Sequence, residues 1–158
     1  MKVVCPVFQG GRFIPSRYAH SGVRGGQNIS LPVSWSMEPS ETRSFTLTII
    51  DRHPVARNWV HWIVLDMPPT VHALPEGASK DRSLMPQGSL ELVNSYGEPG
   101  YGGPMPPRGS GPHEYVIALH ALNVPSLSLT EISSYPDLQT ALQGTILASA
   151  EVIGVFEQ

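Results

Sequence analysis

Lysine is scarce in this chain: only Lys2 and Lys80 occur in 158 residues, and the other eight cations are arginines scattered along it. With no basic stripe and a net charge of −3, duplex nucleic acid is excluded as an expected partner. Cysteine is limited to Cys5, so no intrachain disulfide forms. No apolar run approaches the roughly 20 residues that a spanning helix needs, which excludes a transmembrane helix. The opening MKVVCPVF holds one lysine and a short apolar run cut by Pro6. That is unlike a signal peptide, so a cytoplasmic protein is expected. Enzyme signatures are missing too: there is no GxSxG nucleophile elbow and no Walker A loop.

What is present is a folded, sparsely charged chain, 41% hydrophobic and 15% charged. Its length fits a single domain over residues 1–158 with a sizeable core. Glycine (15) and proline (16) are plentiful, and they concentrate in residues 97–115, GEPGYGGPMPPRGSGPHEY. Eleven of the first sixteen residues there are Gly or Pro. Such a loop is neither helix nor central strand, because Pro lacks a donor and Gly a side chain. It carries Tyr96 and Tyr101 and ends on His113 and Tyr115, which suggests a stiff binding rim rather than a linker.

Apolar runs between turn signals are short. Residues 44–50 alternate, with Phe45, Leu47 and Ile49 on one face, as expected of a strand. Residues 59–67 are apolar on both faces; odd positions group Trp59 and His61 with Ile63 and Leu65. That pattern predicts a strand covered on both sides. Residues 113–122 place His113, Tyr115, Ile117 and Leu119 together. Residues 3–8, 29–33 and 151–156 are further strand candidates. Pro136-Asp137 followed by LQTALQGTILASA predicts one late helix, with Leu138, Ala141, Leu142 and Ile146 as its apolar stripe. The expected fold is mostly β, an antiparallel β-sandwich with a C-terminal helix.

Three segments hold polar residues suited to chemistry: Asp51 at a strand end, His61 in an apolar strand, and His113-Glu114-Tyr115 closing the Gly/Pro loop. His61 alone reads first as a core histidine satisfied by neighbours, and Asp51 alone as a turn former. Together they suggest an anion pocket. Two imidazoles, the Tyr115 hydroxyl and the N–H groups of Gly102 and Gly103 would surround a phosphate or carboxylate, the glycines forming a nest. Trp59 would be a wall, and Asp51 would accept from one imidazole. Arg52, Arg57 and Arg108 flank this pocket and could steer an anion. A metal site or an acid–base pair built on Asp51, His61 and His113 ranks lower. Close ligand spacings are absent and no nucleophile accompanies them, so no metal or cofactor is expected.

These segments, in this order, resemble the phosphatidylethanolamine-binding protein family in its bacterial and archaeal, Raf-kinase-inhibitor-like branch. Gly26-Gln27-Asn28-Ile29-Ser30-Leu31-Pro32-Val33-Ser34-Trp35 is similar to the family's G-x-N-x-S-P-x-L-x-W stretch. Trp59-Val60-His61-Trp62 matches W-x-H-W/F, and Tyr101-Gly102-Gly103-Pro104-Met105-Pro106-Pro107 with His113-Glu114-Tyr115 matches G-Y-x-G-P-x-P-P and H-x-Y. Residues 141–156 resemble the closing helix and strand. The resemblance implies a Greek-key β-sandwich with a pocket for phosphate or phosphoethanolamine-like groups. Asp51, Pro54, Trp59, His61, Gly103, His113 and Tyr115 would line it. It also implies a possible homodimer and, as the alternative function, inhibition of serine proteases or kinases through the loop at residues 99–112. The family's D-P-D-A-P is here Asp51-Arg52-His53-Pro54, one residue shorter and without the second Asp, so a different ligand is expected at that rim. Met105 stands where the loop often has Cys, so no thiol chemistry is expected there. Anion binding should weaken as His61 and His113 lose protons in the complex.

Overall fold

The apolar alternation of residues 44–50 becomes β3 (Ser44–Asp51) at the middle of a five-stranded antiparallel sheet ordered β6-β4-β3-β7-β8. It pairs with β4 (Trp59–Met67) and β7 (His113–Leu122), and β6 (Leu90–Glu91) and β8 (Ile146–Phe156) form the two edges. A smaller antiparallel sheet joins β1 (Lys2–Val4), β2 (Val33–Ser36) and β5 (Ala73–Leu74) in the order β1-β2-β5. The computed structural model describes residues 1–8 and 10–158. Strand candidates 3–8 and 29–33 therefore shift to Lys2–Val4 and Val33–Ser36.

Two apolar layers hold the sheets. Between them, Phe45, Leu47 and Ile49 of β3 meet Trp62, Val64 and Met67 of β4, Ile117 and Leu119 of β7, and Val33 and Trp35 of β2. On the outer face of the large sheet, Ile50, Val60, Ile63 and Leu65 are covered by Leu138 and Leu142 from the segment of α1 (Tyr135–Ala141). This is why residues 59–67 are apolar on both faces: the strand is buried on both sides.

Two irregularities interrupt β4, and the first sets the site. Pairing with β3 runs Ile49 to Trp62 and then Ile50 to Val60, so His61 is an extra residue on the β4 side. A second slip lies between Leu47–Val64 and Phe45–Met67, where Asp66 takes φ 56°. Each is a β-bulge, which re-aims side chains locally. The first corrects the odd-position grouping above. Val60, not His61, shares the outer face with Ile63 and Leu65, and the His61 ring packs against Tyr115 of the inner layer.

The late helix is shorter than its sequence predicts. Ser134 caps α1 in a reciprocal capping box with Asp137, and the helix ends at Ala141. Gly144 then adopts φ 73°, and residues from Ile146 onward pair with β7. ILASA contains helix formers, but its ladder to β7 outweighs their local preference. Only part of the expected stripe is therefore buried: Leu138 is fully buried, whereas Ile146 is 42% exposed. Leu138→Ala should cost about 2–5 kcal/mol in urea unfolding. Ile146→Ala should cost less than about 1 kcal/mol, although the two would be equivalent on one long helix.

Candidate functional site

Strand register brings the polar residues together at one end of the large sheet. Asp51 closes β3 opposite Trp59 of β4 and Tyr115 of β7. His113, two residues before Tyr115, projects to the same face. His61 joins them through its bulge. These side chains floor a cavity of about 350 Å³ whose walls are Val55, Trp59, Tyr96, Met105, Pro106 and Pro107. A larger depression of about 620 Å³ lies by Lys80, Arg82 and Glu131 but includes none of the converging imidazoles.

Hydrogen bonds fix the state of each floor residue. Asp51 Oδ1 accepts the His53 N–H at 2.9 Å, and Oδ2 lies 2.6 Å from His113 Nδ1. Ser110 Oγ gives its single proton to the Pro107 carbonyl at 2.6 Å. His113 Nε2, 2.9 Å from the same oxygen, therefore donates to it. With the Asp51 carboxyl against Nδ1 and the Ser110 hydroxyl against Nε2, the buried His113 ring is held at both nitrogens. The His53 ring stacks on it at 3.9 Å and 17°.

His61 is the opposite case. Its Nδ1 lies 2.6 Å from the Gly102 carbonyl oxygen, which only accepts, so Nδ1 holds the ring proton. Burial pushes its pKa down to about 4, against smaller opposing effects of the Gly102 bond and Asp51. The ring is neutral at pH 7. Tyr115 is 1% exposed, and its hydroxyl lies beside the Asp51 carboxyl without meeting hydrogen-bond geometry to it or to any other group. Burial, followed by the nearby Asp51 carboxylate, raises its pKa well above the ordinary phenol value, so it remains a donor.

The phosphatidylethanolamine-binding protein family model matches residues 5–157. The chain belongs to this family. A UPF0098 protein of Aquifex aeolicus is 35% identical over 158 residues, covering 100% of this chain and 89% of that protein. Crystallised Escherichia coli YbcL, described as a new member of the mammalian PEBP family, superposes with a TM-score of 0.92 at 31% identity, over 99% of this chain and 98% of that one. A PEBP homologue of Chlamydia trachomatis gives 0.83 at 33% identity, over 99% and 97%.

Within this PEBP fold, Asp51, Trp59, His61, His113 and Tyr115 line the cavity; Pro54, Gly102 and Gly103 do not. The turn that follows Asp51 exposes Pro54 and turns Val55 and Ala56 to the cavity instead. The glycine nest is also corrected. Gly102 N–H donates to His61 O at 2.8 Å and Gly103 N–H to Asn28 Oδ1 at 2.7 Å, so neither faces a ligand. Their lack of a side chain serves packing: a Cβ on Gly102 would overlap the Tyr96 ring, and one on Gly103 the Tyr18 carbonyl. Arg52 pairs with Glu151 at 3.0 Å, and neither Arg57 nor Arg108 lines the cavity.

Residues that the sequence reading left out of the site complete it. Tyr96 stacks on His20 at 4.8 Å, meets Trp59 and His61 edge-on, and donates to Gly103 O. Its position just before the Gly/Pro loop was the available signal. Met105, Pro106 and Pro107 were legible as loop but not as wall. Nothing local marks Ser110 as a partner of His113.

Gly103→Ala should destabilise the fold by about 2–3 kcal/mol in urea, since backbone must move. Gly109→Ala meets nothing within 4 Å and should cost about 1 kcal/mol through its φ alone. The His61 ring adds a pH signature. Below its ordinary value of 6.5 the unfolded chain takes up a proton that the folded ring refuses until about 4. Its contribution is present above pH 6.5 and is lost as pH falls toward 4, by about 3 kcal/mol across the window. Urea unfolding of wild type and His61→Gln at pH 7.5 and 4.5 reads this as a smaller pH-dependent loss in the variant.

Proposed function

We propose that this cavity binds a small anionic group, phosphate or a phosphoethanolamine-like ester, and holds it without catalysing its breakdown. The supporting observation is the Tyr115 hydroxyl, which is buried, protonated and without a partner on the cavity floor. An unmet buried donor costs about 1–3 kcal/mol, and a ligand oxygen recovers it. The Asp51 carboxyl is taken up by His113 Nδ1 at 2.6 Å and the His53 N–H at 2.9 Å, which limits its repulsion of an anion. Apolar walls leave room for the organic part of an ester. The binding reading is favoured over catalysis because the one thiol, Cys5, is buried, pushed up to about 11 by burial, and outside the cavity. The alternative, inhibition of proteases or kinases through residues 99–112, has less surface than its sequence suggested, since residues 100–104 are buried.

The anion arrives at a floor with one donor and one unprotonated ring nitrogen, so its complex gains from an added proton. Titration with inorganic phosphate, followed by NMR of the imidazole signals, should shift His61 and His113 at millimolar ligand, with tighter binding at pH 6 than at pH 8. Tyr115→Phe should weaken binding about tenfold or more. Imidazole signals unmoved at millimolar phosphate would sink the proposal.

A further inference from the structure

The turn between Asp51 and β4 has two sides, and only one of them faces the cavity. Val55, Ala56 and Trp59 line the cavity, whereas Arg57, Asn58 and Val60 line a separate groove of about 520 Å³. Val60 belongs to the outer face of the large sheet, the side that α1 covers, so the groove lies across β4 from His61. The rest of its lining comes from residues 93–95 and from the start of α1. Its volume falls within the range of small-molecule sites, roughly 300–1,000 Å³.

The backbone of this turn is strained. Arg57 and Asn58 take φ of 51° and 60°, the left-handed region that favours glycine. Asparagine tolerates that region, but arginine gains nothing from it. The Arg57 side chain is exposed, and the ion pairs among the described residues are all formed by other groups. Strain kept at an exposed, unpaired cation marks a position held for its side chain.

The lining selects the ligand. Among the described residues, Arg57 is the one charged group in it. Of the acids nearby in sequence, Glu131 lines the neighbouring depression, and Asp137 is folded back on the Ser134 N–H at 2.8 Å and hydroxyl at 2.6 Å. A single guanidinium matches a monoanion, and its planar fork fits both oxygens of a carboxylate. A phosphate monoester approaches two charges near neutral pH and finds no second cation here. Side-chain amides of Asn58 and Gln139 also line the groove. Ser95 Oγ accepts the Val60 N–H at 2.8 Å and keeps its own hydrogen for a ligand oxygen. Val93, Tyr135 and Ile132 supply apolar surface. Ile132 is 84% exposed, and covering an aliphatic side chain left in water is favourable.

We infer that this groove is a second ligand site, built for an organic carboxylate whose head pairs with Arg57 and whose apolar body lies against Val93, Tyr135 and Ile132. The site is independent of the anion pocket.

Hydrocinnamate and hydrocinnamamide share an apolar body and differ in the charge of the head. NMR titration of the full chain with each should move the Ile132 methyl and Gln139 side-chain amide signals at millimolar ligand. The acid should bind about fivefold tighter or more. Carboxylate and guanidinium both stay charged from pH 6 to pH 8, so the acid's affinity should hold level there, whereas phosphate in the cavity should bind tighter at pH 6. Arg57→Gly should bring acid and amide to equal affinity while raising the midpoint of urea unfolding, because glycine relieves the left-handed φ. Ile132→Ser should weaken both ligands alike. Shifts confined to His61, His113 and Tyr115 would put the acid in the cavity and overturn the inference. Equal binding of acid and amide by the wild-type chain overturns it, as does the absence of any shift. A lowered urea midpoint in Arg57→Gly overturns it as well, since Arg57 would then serve the turn. None of these outcomes bears on phosphate binding in the cavity.

Discussion

His61 and Gly102 hold each other twice. The Gly102 N–H donates to the His61 carbonyl at 2.8 Å, and His61 Nδ1–H donates to the Gly102 carbonyl at 2.6 Å. A strand residue in ordinary register offers its main chain and its side chain in different directions. Here both reach one residue, because the bulge in β4 leaves His61 unpaired with β3. The contact requires glycine, since a Cβ at 102 would strike the Tyr96 ring. Bulge, loop position and imidazole tautomer are thus one constraint. It seats the Gly/Pro loop beside the sheet and leaves Nε2 as the nitrogen free to meet a ligand.

The far end of the loop is held by a chain of hydrogen bonds. His113 opens β7 and binds Asp51 on one side and Ser110 on the other, while Ser110 binds back to Pro107. Pro106 and Pro107 are thereby set as a wall without donating any hydrogen bond of their own. A buried hydrogen-bonded pair gains little net stability over an apolar pair, but breaking one leaves a buried polar group unsatisfied. This makes Asp51 and His113 specifiers of loop geometry more than sources of stability. Between the two anchors the floor is almost fully matched, and its unmatched groups are the Tyr115 hydroxyl and His61 Nε2. In a low-dielectric site, polar groups left unmatched by the protein are those with most to gain from a ligand.

The strands at residues 44–51, 59–67 and 113–122 were legible because their pattern is local: alternation or two-sided apolarity over eight to ten residues. The face of His61 was not, because a bulge is a property of register between two strands and leaves no local mark in either. The helix overran for a related reason. Residues 146–150 carry helix formers, and only their ladder to β7 makes them strand. Asp51, Trp59, His61, His113 and Tyr115, grouped by family resemblance, all line one cavity. It misassigned the glycines, because a glycine in a sequence marks a place where a side chain is forbidden without saying whether a ligand or a neighbour forbids it. At Gly103 the neighbour is the Tyr18 carbonyl, and its N–H is taken by Asn28. Asn28 lies in the 26–35 stretch, whose connection to the loop is invisible until both are folded.

The shortened turn after Asp51 bears on the shape of the rim. His53 stands in the segment where the family motif has a second acid, and its ring lies flat on His113 at 3.9 Å. His53 Nδ1 accepts the Val55 N–H at 3.3 Å, which fixes the ring plane in that stack. The substitution therefore sets a stacking contact on His113 in the segment where the family motif has a second carboxylate. The shape of the rim thus follows from a ring seated on His113, with Val55 and Ala56 turned to the cavity in place of Pro54.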